Sequence, residues 1–119
     1  VARRNKQDKP NEGGWNAFIT AWASVDNANP LTTPFLNAAC DKALFGWPCD
    51  EQIQALRDKY AVETDPAKQK ALVEQIQMRM AEAPTHIHLG QWYQPTAMGK
   101  NISGAPVSPV SAFWGYKKD

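Results

Sequence analysis

The sequence lacks the motifs that catalytic and membrane-spanning chains usually carry. Its 119 residues contain no Gly-x-Ser-x-Gly elbow, phosphate-binding loop or dinucleotide fingerprint, so nucleophilic and nucleotide chemistry have no recognisable site. No apolar run approaches the roughly 18 to 20 residues of a membrane span. The formal net charge of +1, from 13 basic and 12 acidic residues, is too small to indicate a nucleic acid partner. We therefore expect neither an enzyme nor a nucleic-acid-binding protein, and no cofactor.

Histidine is scarce. The two histidines, His86 and His88, lie two positions apart, so on a strand they would point to the same side. A metal site needs at least a third ligand, and no other histidine or suitably spaced acidic residue supplies it. We expect no metal here, and a metal-dependent enzyme that uses both histidines is the alternative.

Cysteine is scarce too, with Cys40 and Cys49 nine positions apart in "CDKALFGWPC". In an oxidising compartment the pair could close a small loop, which would contribute on the order of 2–3 kcal/mol. In a cytosolic protein both thiols would stay reduced. A zinc site would lack two ligands, so a disulfide is the favoured interpretation.

The remaining composition, 43% hydrophobic and 21% charged, is typical of one globular domain. Residues 15–22 ("WNAFITAW") are apolar on both alternating faces, which predicts a short strand buried on both sides. Residues 35–44 could hold a short helix, and residues 86–94 and 112–116 are further strand candidates. With the two helices described next, the sequence predicts an α+β fold.

Two helices have clear start signals. Asp50 can cap the first helix, whose inner face would be Ile53, Leu56 and Tyr60. Asp65 followed by proline is a cap with proline at the first helical position. Apolar residues then repeat at helical spacing until Pro84 stops the second helix, and they are Leu72, Val73, Ile76 and Met80.

Two stretches could line a binding site. Trp22 is followed four positions later by Asp26 in an Asn-rich loop, and an aromatic platform beside a carboxylate can hold an amine. The alternative is that Asp26 or Asn27 merely caps a turn. In the second stretch, Gln91 and Tyr93 would share one face of an extended run and Trp92 would lie on the other, as in many ligand clefts, although packing alone would explain it equally well.

The order of several motifs resembles the C-terminal part of family 5 extracellular solute-binding proteins, the dipeptide- and oligopeptide-binding proteins of ABC importers. The pieces that carry the resemblance are "GGW" at residues 13–15, "TDPAKQ" at 64–69 and "LGQWYQPTAMGKNISG" at 89–104. The similarity extends over nearly the whole chain. The chain also opens on "VARRN" without an initiating Met, so we expect a fragment of a longer protein.

The resemblance implies part of a two-lobed periplasmic-binding-protein (type 2) fold. Residues 1–88 would belong to the C-terminal lobe, and residues 89–119 would cross the hinge and return to the N-terminal lobe. Gln91, Trp92 and Tyr93 would then lie near the ligand cleft. In such proteins a Trp-x-x-Asp motif holds the amino terminus of the peptide. Trp22 matches its tryptophan, while Asp26 comes one position later than the motif requires.

The resemblance also implies partners and a location. We expect a peptide-like ligand, an ABC transporter permease and the periplasm of a Gram-negative bacterium, with the signal peptide on the preceding part of the protein. Many members carry a disulfide near the positions of Cys40 and Cys49. As an isolated fragment the chain should form a homo-oligomer. The rival interpretation is a small standalone secreted interaction domain that oligomerises.

Overall fold

The computed structural model describes residues 2–119, which form two α-helices, five short 3₁₀ turns and a pair of very short strands. The helices are α1 (Glu51–Val62) and α2 (Pro66–Glu82). Strands β1 (Ile102–Ser103) and β2 (Lys117–Lys118) pair antiparallel, with Ile102 opposite Lys118. The 3₁₀ turns span Ala2–Asn5, Pro10–Glu12, Ser24–Asn27, Pro34–Leu36 and Cys40–Lys42.

Both predicted helices are confirmed, with the capping residues expected from the sequence. The Asp50 carboxylate accepts a hydrogen bond from the Ile53 amide at 2.9 Å, which satisfies one of the free donors at the start of α1. Asp65 does the same for α2, accepting from the Ala67 amide at 2.8 Å. Helix α2 ends at Glu82, two residues before Pro84, which cannot continue a helix.

The core lies mainly between the two helices. Ile53 and Leu56 of α1 and Ile76 of α2 are buried, as the apolar spacing predicted. The expected inner-face residue Tyr60 is half-buried, and so are Leu72, Val73 and Met80 of α2. Because few side chains are fully buried, the helical pair depends strongly on each of these contacts.

The disulfide between Cys40 and Cys49 is present, as predicted. It closes a loop that is also tied by a backbone hydrogen bond from the Cys40 amide to the Pro48 carbonyl at 3.0 Å. The loop presents Phe45 and Trp47 to the N-terminal segment. Their rings lie 6.3 Å from Phe18 and 6.1 Å from Trp15, respectively.

The "GGW" motif fixes the N-terminal segment against this loop. Gly13 has a φ of 98°, a left-handed conformation that favours glycine. A Cβ on Gly14 would collide with the Asp8 carbonyl oxygen, and Arg3 donates to the Gly14 carbonyl at 3.0 Å. Trp15 follows at once and donates from its indole nitrogen to a backbone carbonyl at 3.1 Å.

The predicted strand at residues 15–22 is wrong. No strand pairs with this segment in the described part of the chain, and Ile19 is 82% exposed. The expected helix at residues 35–44 is replaced by two 3₁₀ turns, because Cys40 has a φ of 57°, outside the helical region.

The strands predicted at residues 86–94 and 112–116 are absent as well, and β2 begins only at Lys117. Most side chains after residue 86 are exposed. The radius of gyration is 18.7 Å, whereas a compact chain of this length has about 13–14 Å.

Within residues 2–119, no helix is long and apolar enough to cross a membrane.

Candidate functional site

Four rings from three separate segments form a continuous row, which we call the aromatic row: Trp22, Phe35, His86 and His88. The centroids of Trp22 and Phe35 lie 6.2 Å apart with nearly perpendicular planes. Phe35 and His86 are closer, at 5.0 Å, and the two histidine rings lie 6.3 Å apart. These separations are those of favourable aromatic pairs, so the row joins residues 20–35 to the segment that leaves α2.

Thr85 attaches the row to the end of α2. Its hydroxyl donates to the Phe35 carbonyl at 2.6 Å and lies 3.1 Å from the Nδ1 atom of His86. The same hydroxyl also contacts the Met80 sulfur of α2 at 3.3 Å. Thr85 therefore links the Phe35 backbone, the His86 ring and α2.

The protonation of His86 follows from its surroundings. Burial lowers the pKa of His86 below its ordinary value, and the neighbouring His88 lowers it further. The ring is therefore neutral at pH 7. Within the described residues, no group of three or more His, Cys, Asp or Glu side chains is close enough to hold a metal ion.

The loop that carries Asp26 is held by hydrogen bonds from its own side chains. Thr32 donates to the Asp26 carbonyl at 2.9 Å, and Thr33 donates to the Asn27 side chain at 2.9 Å. Asn29 accepts from the Leu31 amide at 2.7 Å. These hydrogen bonds involve the backbone of Asp26 and not its side chain.

The Asp26 carboxylate itself has no hydrogen-bond or ion-pair partner among residues 2–119. Asp26 is half-buried, in the 3₁₀ turn Ser24–Asn27 that begins two residues after Trp22. A turn-capping role for the Asp26 side chain, one of the alternatives from the sequence, is not found in this geometry, because no backbone amide donates to it. The carboxylate is free to accept a hydrogen bond from a ligand.

The other predicted site residues lie farther along the chain. Trp92 and Tyr93 are 67% and 99% exposed, and Gln91 is exposed as well. In the described residues, neither ring stacks on a member of the aromatic row. Their role at a ligand site stays a prediction.

Sequence patterns did not identify three residues that contribute to this region. Phe35 and Thr85 are 50 positions apart, and Arg57 reaches Pro30 across 27 positions. Phe35 follows Pro34 in a turn without periodicity, and Thr85 follows the helix stop at Pro84. Arg57 lies on a regular helix, where a charged residue is usually solvated.

The region offers two kinds of group that can bind a ligand. The row offers a partly exposed indole, since Trp22 is 46% exposed, and the loop offers a carboxylate. A carboxylate binds an ammonium group through a charge-assisted hydrogen bond, and an aromatic face attracts the same cation. Trp22 and Asp26 are therefore the two groups of this region that could contact a ligand.

One curated protein resembles the chain over nearly its whole length. It is a probable peptide ABC transporter periplasmic-binding protein, y4tO, of Sinorhizobium fredii (strain NBRC 101917 / NGR234), with 31% identity over 118 residues. The match covers 99% of this chain and 22% of that protein, so the chain spans about a fifth of the length of the relative. No protein-family model and no solved structure matches the chain. The chain is similar to part of a transporter's binding protein, and that relative is not named as an enzyme.

Proposed function

We propose that the chain is the C-terminal part of the substrate-binding component of an ABC transporter that imports peptides or similar small solutes. The observation that carries this proposal is the 31% identity to a peptide-binding relative across 99% of the chain. The order of the "GGW", "TDPAKQ" and "LGQWYQP" motifs supports it and favours the family 5 extracellular solute-binding proteins.

In this proposal residues 1–88 belong to the C-terminal lobe of a type 2 binding-protein fold, and residues 89–119 cross the hinge to the N-terminal lobe. Exposed apolar side chains support the division, because a neighbouring lobe would cover them. Those in the second segment include Leu89, Trp92, Tyr93, Phe113 and Trp114.

The proposed ligand contact is a charge-assisted hydrogen bond from a peptide ammonium group to Asp26, beside the indole of Trp22. The unpaired carboxylate and the partly exposed indole support this assignment. Gln91, Trp92 and Tyr93 would form another part of the cleft when the lobes close around the ligand, a hinge motion that binding favours.

The proposed location is the periplasm of a Gram-negative bacterium, where the bound solute is delivered to the transporter permease. A disulfide between Cys40 and Cys49 suits an oxidising compartment, and the relative is named as a periplasmic protein. A signal peptide would belong to the preceding part of the longer protein.

A second candidate is a small secreted domain that acts alone and assembles through its aromatic surface. The exposed rings of Phe113 and Trp114 favour it, because apolar patches of this kind commonly mark interfaces. Titration calorimetry with short peptides separates the candidates. A longer polypeptide that contains this chain and a second lobe should bind with a Kd of roughly micromolar or better, and residues 1–119 alone should not. Absence of peptide binding by the longer polypeptide would favour the second candidate.

A further inference from the structure

Arg57 of α1 connects the helical pair to the loop that carries Asp26. Its Nε atom donates to the Pro30 carbonyl at 3.0 Å, and its Nη2 atom lies 3.4 Å from the Leu31 carbonyl. The third nitrogen, Nη1, donates to the Gln54 side chain at 3.0 Å. All three guanidinium nitrogens are thus engaged, and two of them bind the loop.

The surroundings of Arg57 set it apart from an ordinary surface arginine. Its side chain forms none of the ion pairs found within residues 2–119, and burial lowers its pKa. Desolvating a cation without a paired anion is unfavourable unless its donors are satisfied. Here the Pro30 and Leu31 carbonyls and the Gln54 side chain accept from the guanidinium, so two of its three nitrogens hold the loop.

Hydrogen bonds within the loop connect the residues that Arg57 contacts to Asp26. Immediately after Pro30 and Leu31, Thr32 donates to the Asp26 carbonyl at 2.9 Å. Thr33, which is buried, donates to the Asn27 side chain at 2.9 Å. The Asp26 backbone is therefore tied to residues next to those that Arg57 binds, while its carboxylate stays unpaired.

We propose that Arg57 is a positioning residue, which fixes the 26–33 loop on α1 so that the Asp26 carboxylate is held ready for the ammonium group of a ligand. This inference rests on the proposed function. Arg57 does not touch the ligand and acts only through the loop backbone. A lysine could not replace it, because one ammonium group does not reproduce the planar fork that reaches two carbonyls.

The first test measures amide hydrogen exchange on residues 1–119. In Arg57→Met, which keeps the aliphatic part of the side chain, the amides of Leu31, Thr32 and Thr33 should exchange on the order of tenfold faster. Arg57→Lys should behave the same way. The control Lys59→Met removes an exposed charge from the same helix and should leave the loop unchanged.

Exchange at Ile53 and Leu56 separates positioning from a general structural role. These α1 amides should keep their wild-type rates in Arg57→Met. Unchanged loop exchange in Arg57→Met would overturn the proposal, and so would equal acceleration of the loop and of α1.

The second test uses the longer polypeptide and compares a tripeptide that has a free amino terminus with its N-acetylated form. Wild type should prefer the free amine by at least about tenfold, and Arg57→Met should lose most of this preference while Lys59→Met retains it. If Arg57→Met keeps the full preference, the positioning role of Arg57 is refuted and the proposed function is not. No preference in wild type would refute the proposed function, and the inference with it.

Discussion

The Asp50 carboxylate joins the beginning of one helix to the end of the other. One oxygen accepts from the Ile53 amide at 2.9 Å, and the other pairs with Nη2 of Arg79, in the last turn of α2, at 2.7 Å. The Asp50 side chain is nearly buried. The hydrogen bond from Arg79 is the largest cause that lowers the pKa of Asp50, followed by that from Ile53.

Replacing Asp50 should therefore destabilise the helical pair. Asp50→Ala loses the cap, which costs about 0.5–2 kcal/mol by itself, and leaves Arg79 with only the exposed Glu82 carboxylate, at 3.3 Å, as an ion-pair partner. Chemical denaturation followed by circular dichroism measures the loss. The control Glu74→Gln removes an exposed carboxylate from α2 that lies 3.9 Å from Lys70, and it should change stability little. Equal effects of the two substitutions would contradict this role.

The disulfide should determine the order of the N-terminal segment. It closes the loop that presents Phe45 and Trp47 to Trp15 and Phe18, so Cys40→Ser with Cys49→Ser should loosen all four rings. We expect a loss of about 2–3 kcal/mol together with a weaker near-ultraviolet circular dichroism signal. Thiol titration of the denatured, unreduced wild type should find no free thiol, and two free thiols would disprove the pairing.

His86 should make stability depend on pH. Its folded-state pKa lies below the ordinary 6.5, so the unfolded chain binds more protons between the two values. This contribution to the free energy of unfolding is fully present above pH 6.5 and is lost as the pH falls through the folded-state pKa. Denaturation midpoints between about pH 8 and pH 5 should show this loss in wild type.

Two matched variants identify the histidine responsible. His86→Gln should remove this part of the pH dependence. His88→Gln should keep most of it, because burial lowers the pKa of His86 more than His88 does. The assignment fails if His86→Gln follows the same pH profile as wild type.

The isolated chain should form a homo-oligomer, most simply a dimer. Residues 89–119 expose Trp92, Phe113 and Trp114, and exposed apolar side chains of this kind favour contact with another copy of the chain. Residues 15–22 are the other candidate interface. Light scattering at tens of micromolar should give a mass above that of the monomer, with roughly 1,000 Å² or more buried between copies. A monomeric mass with Trp114 accessible to a quencher would rule it out.

The sequence predicted the parts of the fold that local interactions determine. The capping bonds of Asp50 and Asp65 and the apolar spacing of Ile53 and Leu56 all act within a few residues, so the helices could be located from sequence. The strand at residues 15–22 failed because a strand needs a partner, and no strand of the described chain pairs with this segment.

The candidate site was predictable only in part, because some of its contacts join residues that lie far apart in the sequence. Trp22 and Asp26 are only four positions apart, so the sequence indicated them as a pair. The contact between Phe35 and Thr85 joins residues 50 positions apart, and no sequence periodicity connects them. The sequence made no prediction for Arg57, because a charged residue on a helix is usually solvated, and only the structure shows its contacts with the loop backbone.

The central claim is that Asp26 binds the amino terminus of a peptide, and one calorimetric comparison tests it directly. In a longer polypeptide with the two proposed lobes, Asp26→Asn keeps the side-chain shape but removes the charge. The account predicts that this substitution weakens binding of a free-amine tripeptide by at least about tenfold and leaves the affinity for its N-acetylated form unchanged. Equal affinities of wild type and Asp26→Asn for the free-amine peptide would contradict it.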